Sequence, residues 1–429
     1  MMGWLLAVAL GSSVPAVRAD DAGRALSLDE VFAAALQRSE VIATQTELIR
    51  QAEEHYRQAG GALLPTVSGV VTHTWQEGLP ASVTSTTPTN LSYQPVSKVN
   101  ATQPLFRGFR EFAGLRQTRD LVGAQNEDYQ NARVLLFKDV VQNYYGVLTL
   151  EQDLRNLDEE IRQNVDREQD IGKRVRIGRS RPAELLNVQA TISTLRAQVE
   201  QVNTQLRVAR ETFAFLTGLD ASAPLRDSET VAESFEPLPG YLAAVDQRPD
   251  VLASQQRLVA ARENVKVAQG AHLPSVDLSG NYYLDRPGYL SDVNWDVTLA
   301  LTLPIYSGGT MQSKVREAVS QRTQAELTVS QTRRQAEQEV RSLYQSVRLD
   351  RAQVEALDKA TDAARKSFEA QSKEYRLGLV TNLDVLQALT AFQENQRALD
   401  RARFTLKTDY LTLQAVTNRR EGLVTGSSP

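Results

Sequence analysis

The sequence predicts an α+β membrane protein, in which the four strands of each chain close a β-barrel with the strands of other copies and long coiled-coil helices follow the strands. Three observations predict this fold class. The chain contains two copies of one unit, heptad repeats run through both copies, and each copy carries a pair of alternating strands. Four strands cannot close a barrel alone and open edges cannot face lipid, so several chains are needed. Three copies would supply twelve strands and would leave an aqueous lumen.

Composition excludes several classes of protein. The 429 residues are 41% hydrophobic and 23% charged, which is typical of a folded chain. The 52 acidic and 48 basic residues give a net charge of −4, so no nucleic-acid partner is expected. The chain has no cysteine. This excludes disulfides, thiolate metal sites, a cysteine nucleophile and an N-terminal lipid-modified cysteine.

The first segment, residues 1–19, reads "MMGWLLAVALGSSVPAVRA". An apolar stretch followed by small residues predicts a secretory signal peptide cleaved after Ala19, although no Lys or Arg precedes the apolar stretch. The alternative is a first core helix. No later segment has the ~18–20 consecutive apolar residues of a transmembrane helix, so a membrane span would use strands.

Four landmarks recur in the same order and indicate a tandem duplication. They are the pairs "LQRSEVIATQTEL" and "VDQRPDVLASQQRL", "GALLPTVSG" and "GAHLPSVDLSG", "QPLFRGFRE" and "LPIYSGGTM", and "RVRIGRSRPAELL" and "EYRLGLVTNLDVL". We therefore expect a first repeat at 20–217 and a second at 245–417. A linker or equatorial segment at 218–244 separates them, and a C-terminal tail covers 418–429.

Each repeat is predicted to begin with a helix that leads into two strands. Period-two alternation over ~9–11 residues matches a tilted membrane-spanning strand. The predicted strands are about 66–75, 95–104, 275–284 and 295–303. Aromatic residues at the loop-side ends predict membrane-interface contacts by Trp75, Tyr282 and Trp295, so the lipid bilayer is an expected partner. The alternative is a half-buried sheet in a soluble protein.

Two long helices follow the strands of each repeat. Apolar residues on a seven-residue frame indicate coiled coils over about 109–177 and 183–217, and over about 309–377 and 383–417. Tip turns at about 178–182 and 378–382 join the helices of each pair. A helix from 109 to 177 would be about 100 Å long, which describes a rod better than a domain core. Tyr144 and Tyr344 occupy matching positions, where helix packing is expected.

These features together resemble the TolC family of bacterial outer-membrane efflux and secretion ducts. The resemblance covers essentially the whole mature chain and rests on the duplication, on "QPLFRGF" with "LPIYSGG", and on "YRLGLVTNLDVLQA" with its heptad helix. It implies a homotrimer with one outer-membrane barrel and an α-barrel across the periplasm. It also implies a channel for small molecules or polypeptides that works with a periplasmic adaptor (membrane fusion) protein and an inner-membrane pump of RND or ABC type.

The resemblance places the two helix-hairpin tips at Gly178 and Gly378, where this family closes the duct and meets the adaptor. Glycine suits a helix end because it tolerates positive φ. Arg176 and Arg376, each two residues before its glycine, and Leu379 are the other expected adaptor contacts.

The resemblance also implies a channel constriction formed by Asp384, Glu184, Gln387 and Tyr375. The chain departs from the family pattern, because Gln387 replaces a second acidic residue and Val380 replaces a basic gating partner. Crowded carboxylates in a trimer are expected to have raised pKa values. In the alternative interpretation, Glu184 and Asp384 stabilise their helices through the macrodipole, worth a few tenths to about 1 kcal/mol.

The same residues bear on two rival functions. An enzyme is not expected, because the spacing of His55, His73 and His272 suits no metal site and no cofactor is indicated. A secreted coiled-coil structural or adhesive protein would share the heptads but would lack paired membrane-length strands. Extraction distinguishes it from a duct, which requires detergent.

Overall fold

The computed structural model describes residues 24–77, 93–288 and 290–420. The predicted signal peptide and residues 421–429 of the predicted tail lie outside them. The chain divides into two compact units. The first unit contains the chain up to Arg38, Val140–Thr230 and Leu357–Phe404, and the second contains Ser39–Asp139, Val231–Ala356 and the chain from Thr405.

The described residues are mostly helical with one four-stranded sheet, which confirms the predicted class at this level. The elements are α1 (Leu28–Arg38), α2 (Glu40–Gly61), β1 (Thr66–Trp75), β2 (Tyr93–Arg107), α3 (Arg110–Arg176), α4 (Pro182–Thr217), α5 (Leu238–Ala243), α6 (Pro249–Gly270), β3 (Ser275–Asp285), β4 (Trp295–Thr302), α7 (Thr310–Leu377) and α8 (Asn382–Val416). No helix among them is both long enough and apolar enough to cross a membrane.

The sheet of the second unit has the strand order β1-β2-β3-β4, and every pair is antiparallel. The central pair joins the two repeats. β2 is longer than the predicted strand because its ladder with β3 continues to Arg107, which lies opposite Ser275. The register of this ladder shifts after Ser97 and after Pro104, as at a β-bulge. Alternation within one segment does not show which distant strand pairs with it, so the sequence did not predict this end of β2.

The two faces of the sheet differ in chemistry, as alternation requires. On one face a polar row crosses three strands: the Asn100 amide donates to Asn281 at 3.0 Å, and the Asn281 amide donates to Asp296 at 2.8 Å. The other face carries exposed apolar side chains, including Val71 (67% exposed) and Leu299 (64% exposed). Both edge strands are exposed along nearly their whole length.

Four helices of the second unit contact one another in an order that parallels the strands. Gln125 of α3 donates to Gln45 of α2 at 2.7 Å, which joins α2 to α3. An ion pair of 2.9 Å between Arg116 and Glu263 joins α3 to α6. Asn264 of α6 then donates to Gln321 of α7 at 2.9 Å. The resulting order is α2-α3-α6-α7.

The core of the first unit lies along its long helices. Ile171 of α3 packs with Val188 and Ile192 of α4, and all three are buried. Tyr144 is 1% exposed, and its hydroxyl donates to the Leu26 carbonyl at 2.9 Å. Besides packing, this tyrosine therefore ties α3 to the chain that precedes α1.

Candidate functional site

The two hairpin tips of the first unit share one backbone geometry. Gly178 has φ +70° and Gly378 has φ +80°, in the left-handed region that favours glycine. At the first tip the Arg179 N–H donates to the Arg174 carbonyl at 2.8 Å and the Gly178 N–H donates to the Val175 carbonyl at 3.0 Å. The second tip repeats both bonds: from Leu379 to Glu374 at 3.0 Å and from Gly378 to Tyr375 at 3.1 Å. Each tip is thus a Schellman C-cap.

Asp384 forms a reciprocal cap at the start of α8. Its Oδ2 accepts from the Thr381 N–H at 2.8 Å and from the Thr381 hydroxyl at 2.6 Å, while the Asp384 N–H donates to Thr381 Oγ1 at 3.3 Å. The hydroxyl bond and then the backbone bond lower the pKa of Asp384. Within one chain this is the helix-stabilising role. The raised carboxylate pKa expected from crowding applies to an assembly in which several chains bring their carboxylates together, so the lowered value within one chain does not test it.

Glu184 is held differently at the start of α4. Its carboxylate accepts from the Ser180 hydroxyl at 2.7 Å and pairs with Arg181 at 3.4 Å. Arg181 is the N-cap residue, its side chain makes no capping bond, and Pro182 begins the helix. The carboxylate is therefore held by two side-chain contacts, and the Glu184 side chain remains 24% exposed.

A cationic and aromatic cluster joins the two hairpins within the first unit. The Arg167 guanidinium lies 5.2 Å from the centre of the Tyr375 ring, and that of Arg174 lies 4.5 Å from it. Arg167 Nε also donates to Asn382 Oδ1 at 2.8 Å. Burial lowers the pKa of Arg167, as expected for a desolvated cation. Of these residues, sequence analysis selected only Tyr375, because no local pattern links positions so far apart.

The remaining tip residues face solvent. Arg176, Arg376 and Gln387 are exposed, and Leu379 is 73% exposed. Val380, at the position of the expected basic partner, is half-buried. The tips therefore present apolar and basic side chains together, which suits a protein partner better than a small ligand. The constriction and adaptor roles of these residues stay predictions.

The predicted interface aromatics lie in two pairs at one end of the sheet. Tyr282 lies opposite Trp295, and Trp75 lies opposite Tyr93 with ring centres 5.4 Å apart. His73 Nδ1 is 2.6 Å from the Tyr93 hydroxyl. Sequence analysis missed Tyr93, although its aromatic type near a strand start was a usable signal. These rings are exposed, as an interfacial girdle would be.

In the part of the chain that the structure describes, no three residues of the His, Asp and Glu types are grouped to hold a metal ion. His55 and His272 each lie outside the tips.

Comparisons with known proteins agree on one family. A family model described as outer membrane efflux protein matches residues 31–219 and 241–419. The chain is 26% identical over 320 residues to outer membrane efflux protein BepC of Brucella suis biovar 1 (strain 1330), covering 71% of this chain and 68% of that protein. It is 24% identical over 382 residues to outer membrane protein TolC of Escherichia coli (strain K12), covering 84% and 76%.

A solved structure extends the likeness to the fold. The outer membrane protein VceC from Vibrio cholerae superposes with a TM-score of 0.78 at 20% identity, covering 91% of this chain and 96% of that one. At this identity the likeness shows the arrangement of helices and strands.

Proposed function

Because the chain belongs to the outer membrane efflux protein family, we propose that it is the outer-membrane channel of a tripartite efflux or type I secretion system. The family makes it an outer-membrane protein with a role in export. In the proposed assembly, three copies form a homotrimeric duct. The four strands of each chain contribute to a twelve-stranded barrel, and α3, α4, α7 and α8 form the periplasmic α-barrel.

The observation that carries this proposal is the pair of open sheet edges. Among the described residues, β1 pairs with β2 alone and β4 with β3 alone. Each outer edge presents unpaired backbone groups, which are costly in lipid unless another strand covers them. Copies joined edge to edge satisfy both edges at once. We expect the detergent-purified particle to have the mass of a trimer, and a monomer with full strand content would contradict the barrel.

The tips are the proposed docking surface for the periplasmic adaptor. Proline cannot adopt φ near +70° or +80° and has no N–H to donate to the helix end, so Gly178→Pro or Gly378→Pro disrupts a tip. We expect export and adaptor binding to be lost while the trimer persists. Gly178→Ala, which keeps the N–H, should lose less of both. Normal export with adaptor still bound would make the tips purely structural.

The constriction is proposed to be an acidic ring of Glu184 and Asp384, lined also by Gln387 and Tyr375. Three chains would bring six carboxylates to one passage, and rings of Asp or Glu produce cation selectivity. Planar-bilayer recordings of the Glu184→Gln, Asp384→Asn double variant test this. Cation preference and its pH dependence should both fall. Unchanged selectivity would leave these carboxylates as helix caps only.

The inner-membrane partner determines the cargo class. Relatives are named for different exports: BepC for efflux, and AprF of Pseudomonas aeruginosa for alkaline protease secretion. The proposal therefore includes an RND-type or ABC-type pump and small molecules or polypeptides as cargo. Cross-linking in cells followed by copurification identifies the pump. Because RND-type and ABC-type pumps are distinct proteins, the one recovered indicates the cargo class. Recovery of neither an adaptor nor a pump would contradict the tripartite system.

A further inference from the structure

The duplication lets each residue be compared with its repeat equivalent, meaning the residue at the same place in the other repeat. α2 and α6 both have 22 residues and end at Gly61 and Gly270. The strand-to-helix passages match as well, since both Gly108 (φ +69°) and Gly308 (φ +63°) adopt the left-handed conformation. These anchors align α2–β1 with α6–β3, and β2–α3 with β4–α7.

Within the chain, β2–α3 contacts α6–β3, and we call this contact the inner junction. Arg116 Nε donates to Glu263 Oε2 at 2.9 Å, and the Glu263 side chain is only 10% exposed. The backbones come close at a glycine pair: a Cβ on Gly108 would lie 2.1 Å from the Gly270 carbonyl oxygen. Both positions therefore exclude any larger residue.

The repeat equivalents of all four inner-junction residues keep their type but lack the contact. Arg316 corresponds to Arg116, and Glu54 corresponds to Glu263. The Glu54 side chain is 57% exposed and pairs with Arg57 on its own helix, as Glu263 pairs with Lys266. Arg316 donates to Ser313 on its own helix at 3.0 Å.

The glycines give the same contrast. A Cβ on Gly308 or on Gly61 would meet nothing within 4 Å, so this chain alone gives no steric reason for glycine at Gly61. The apolar side chains beside Gly308 are also uncovered: Ile305 is 93% exposed and Tyr306 is 89% exposed. The equivalent of Ile305, Leu105, is 55% exposed. A surface built like the inner junction is thus present as two separate halves.

We propose that a second copy of this chain joins these halves, so that α7 and β4 of one copy contact α2 and β1 of the next in the register of the inner junction. Arg316 then pairs with Glu54 of the second copy, and Gly308 lies against its Gly61. This outer junction rests on the proposed homotrimer and specifies which residues hold it together. It continues the order α2-α3-α6-α7 and the order β1-β2-β3-β4 into the next copy.

The faces of the strands agree with the transferred register. Within the chain, Ala101 lies opposite Gly280 and Asn100 lies opposite Asn281. Transferred to the repeat equivalents, Leu301 lies opposite Val71 of the next copy, and Ala300 lies opposite its Thr72. The first pair falls on the apolar face of both strands and the second on the polar face. A slip of one residue would mix the faces, so alternation argues against it, and the cysteine pairs below distinguish slips of two residues.

A charge exchange tests the predicted ion pair in the full-length protein. Glu54→Arg and Arg316→Glu each place like charges together, so each trimer should dissociate roughly tenfold faster in detergent. In the double variant, at least half of the increase in the logarithm of the dissociation rate should be reversed. Glu53→Arg is the matched control, because its repeat equivalent, Arg262, is exposed in α6, and it should leave dissociation unchanged. Strictly additive effects of the two reversals would overturn the pairing.

Cysteine pairs test the strand register. Because the natural sequence has no cysteine, the introduced residues are the only ones that can form a disulfide. Thr72→Cys with Ala300→Cys should give covalent dimers and trimers on non-reducing gels, because directly opposite residues have Cα atoms within disulfide range. Thr74→Cys with Ala300→Cys, displaced by two residues, should give few. Equal or reversed yields in a trimer would overturn the register and leave the duct intact. A monomeric particle would overturn the junction and the proposed trimer together.

Discussion

At the scale of single residues, the two tip carboxylates differ in what fixes them. Asp384 accepts two hydrogen bonds from one residue, Thr381, and returns one from its own N–H. Glu184 instead contacts the side chains of Ser180 and Arg181, and the long, exposed Arg181 side chain costs entropy to hold in place. The second tip is therefore the better capped of the two, although both have the same Schellman turn.

Asp384→Asn should loosen the start of α8 at neutral pH. The pKa of Asp384 is lowered in the folded chain, so its carboxylate stabilises the fold above the ordinary Asp pKa. That contribution is lost as pH falls through the lowered value. Hydrogen exchange of the amides at 381–384 should be roughly severalfold faster in the variant at pH 7 and equal at low pH. Thr381→Ala should reproduce the pH 7 effect, whereas an effect that persists in acid would contradict the cap.

At the scale of elements, a network of partly buried charges joins helices of the second unit. Glu339 of α7 accepts from Lys138 of α3 at 2.6 Å and from Arg248 at 2.8 Å, and Arg248 also pairs with Asp250 at 2.8 Å. Burial raises the pKa of Glu339, but the bond from Lys138 and the charge of Arg248 outweigh it, so the pKa is lowered overall. The network depends on Glu339 because its carboxylate bridges Lys138 and Arg248.

Glu339→Gln should lower the free energy of unfolding by about 1–2 kcal/mol, because it leaves the buried Arg248 with one fewer counter-charge while solvent screens the half-buried Glu339. Thermal or denaturant unfolding of the detergent-solubilised protein measures this. Glu337→Gln on the same helix is the matched control, since its pair with Arg333 is exposed and long at 3.6 Å. It should change stability by well under about 1 kcal/mol. Equal losses in the two variants would contradict the network.

A carboxyl pair between α7 and α8 predicts the opposite pH dependence. Burial and the charge of Asp409 raise the pKa of Asp350 to about 6, and burial raises the pKa of Asp409. A carboxyl with a raised folded pKa destabilises the fold above that value, so stability should rise as pH falls from 8 through about 6. Asp409→Asn should stabilise the protein by about 1 kcal/mol at pH 8, after allowance for solvent screening, and should flatten this profile. A stability profile unchanged by the substitution would contradict the coupling.

Local sequence patterns predicted those features of the elements that depend on local geometry. Glycine at a left-handed helix end and alternation along a strand are read directly from neighbouring residues, and the four-stranded sheet agrees with that prediction. The contacts of Arg167 with Tyr375 and Asn382 join positions more than 200 residues apart, so no window could contain them. The cap by Thr381 was missed for another reason, since a capping box usually ends in Glu or Gln. The channel and adaptor roles of the tip residues remain predictions.

At the scale of the whole molecule, the apolar face of the sheet should decide whether the chain enters the outer membrane. Leu299→Arg places a charge on that face, at a cost of about 2–4 kcal/mol near the bilayer midplane. Thr298→Arg is the neighbouring control on the polar face. We expect the membrane-inserted fraction after cell fractionation to fall strongly for the first variant and little for the second. The reverse order would mean that the faces are assigned the wrong way round.

The proposed recurrence of one junction both within and between chains has a kinetic consequence. The inner junction forms at an effective concentration set by the connecting chain, which does not change with the amount of protein made. The outer junction requires encounters between copies, so its rate depends on their concentration. At low synthesis rates, chains will therefore wait with a finished inner junction and bare edges at β1 and β4. We therefore expect the fraction of chains that reach the assembled state to rise with expression level.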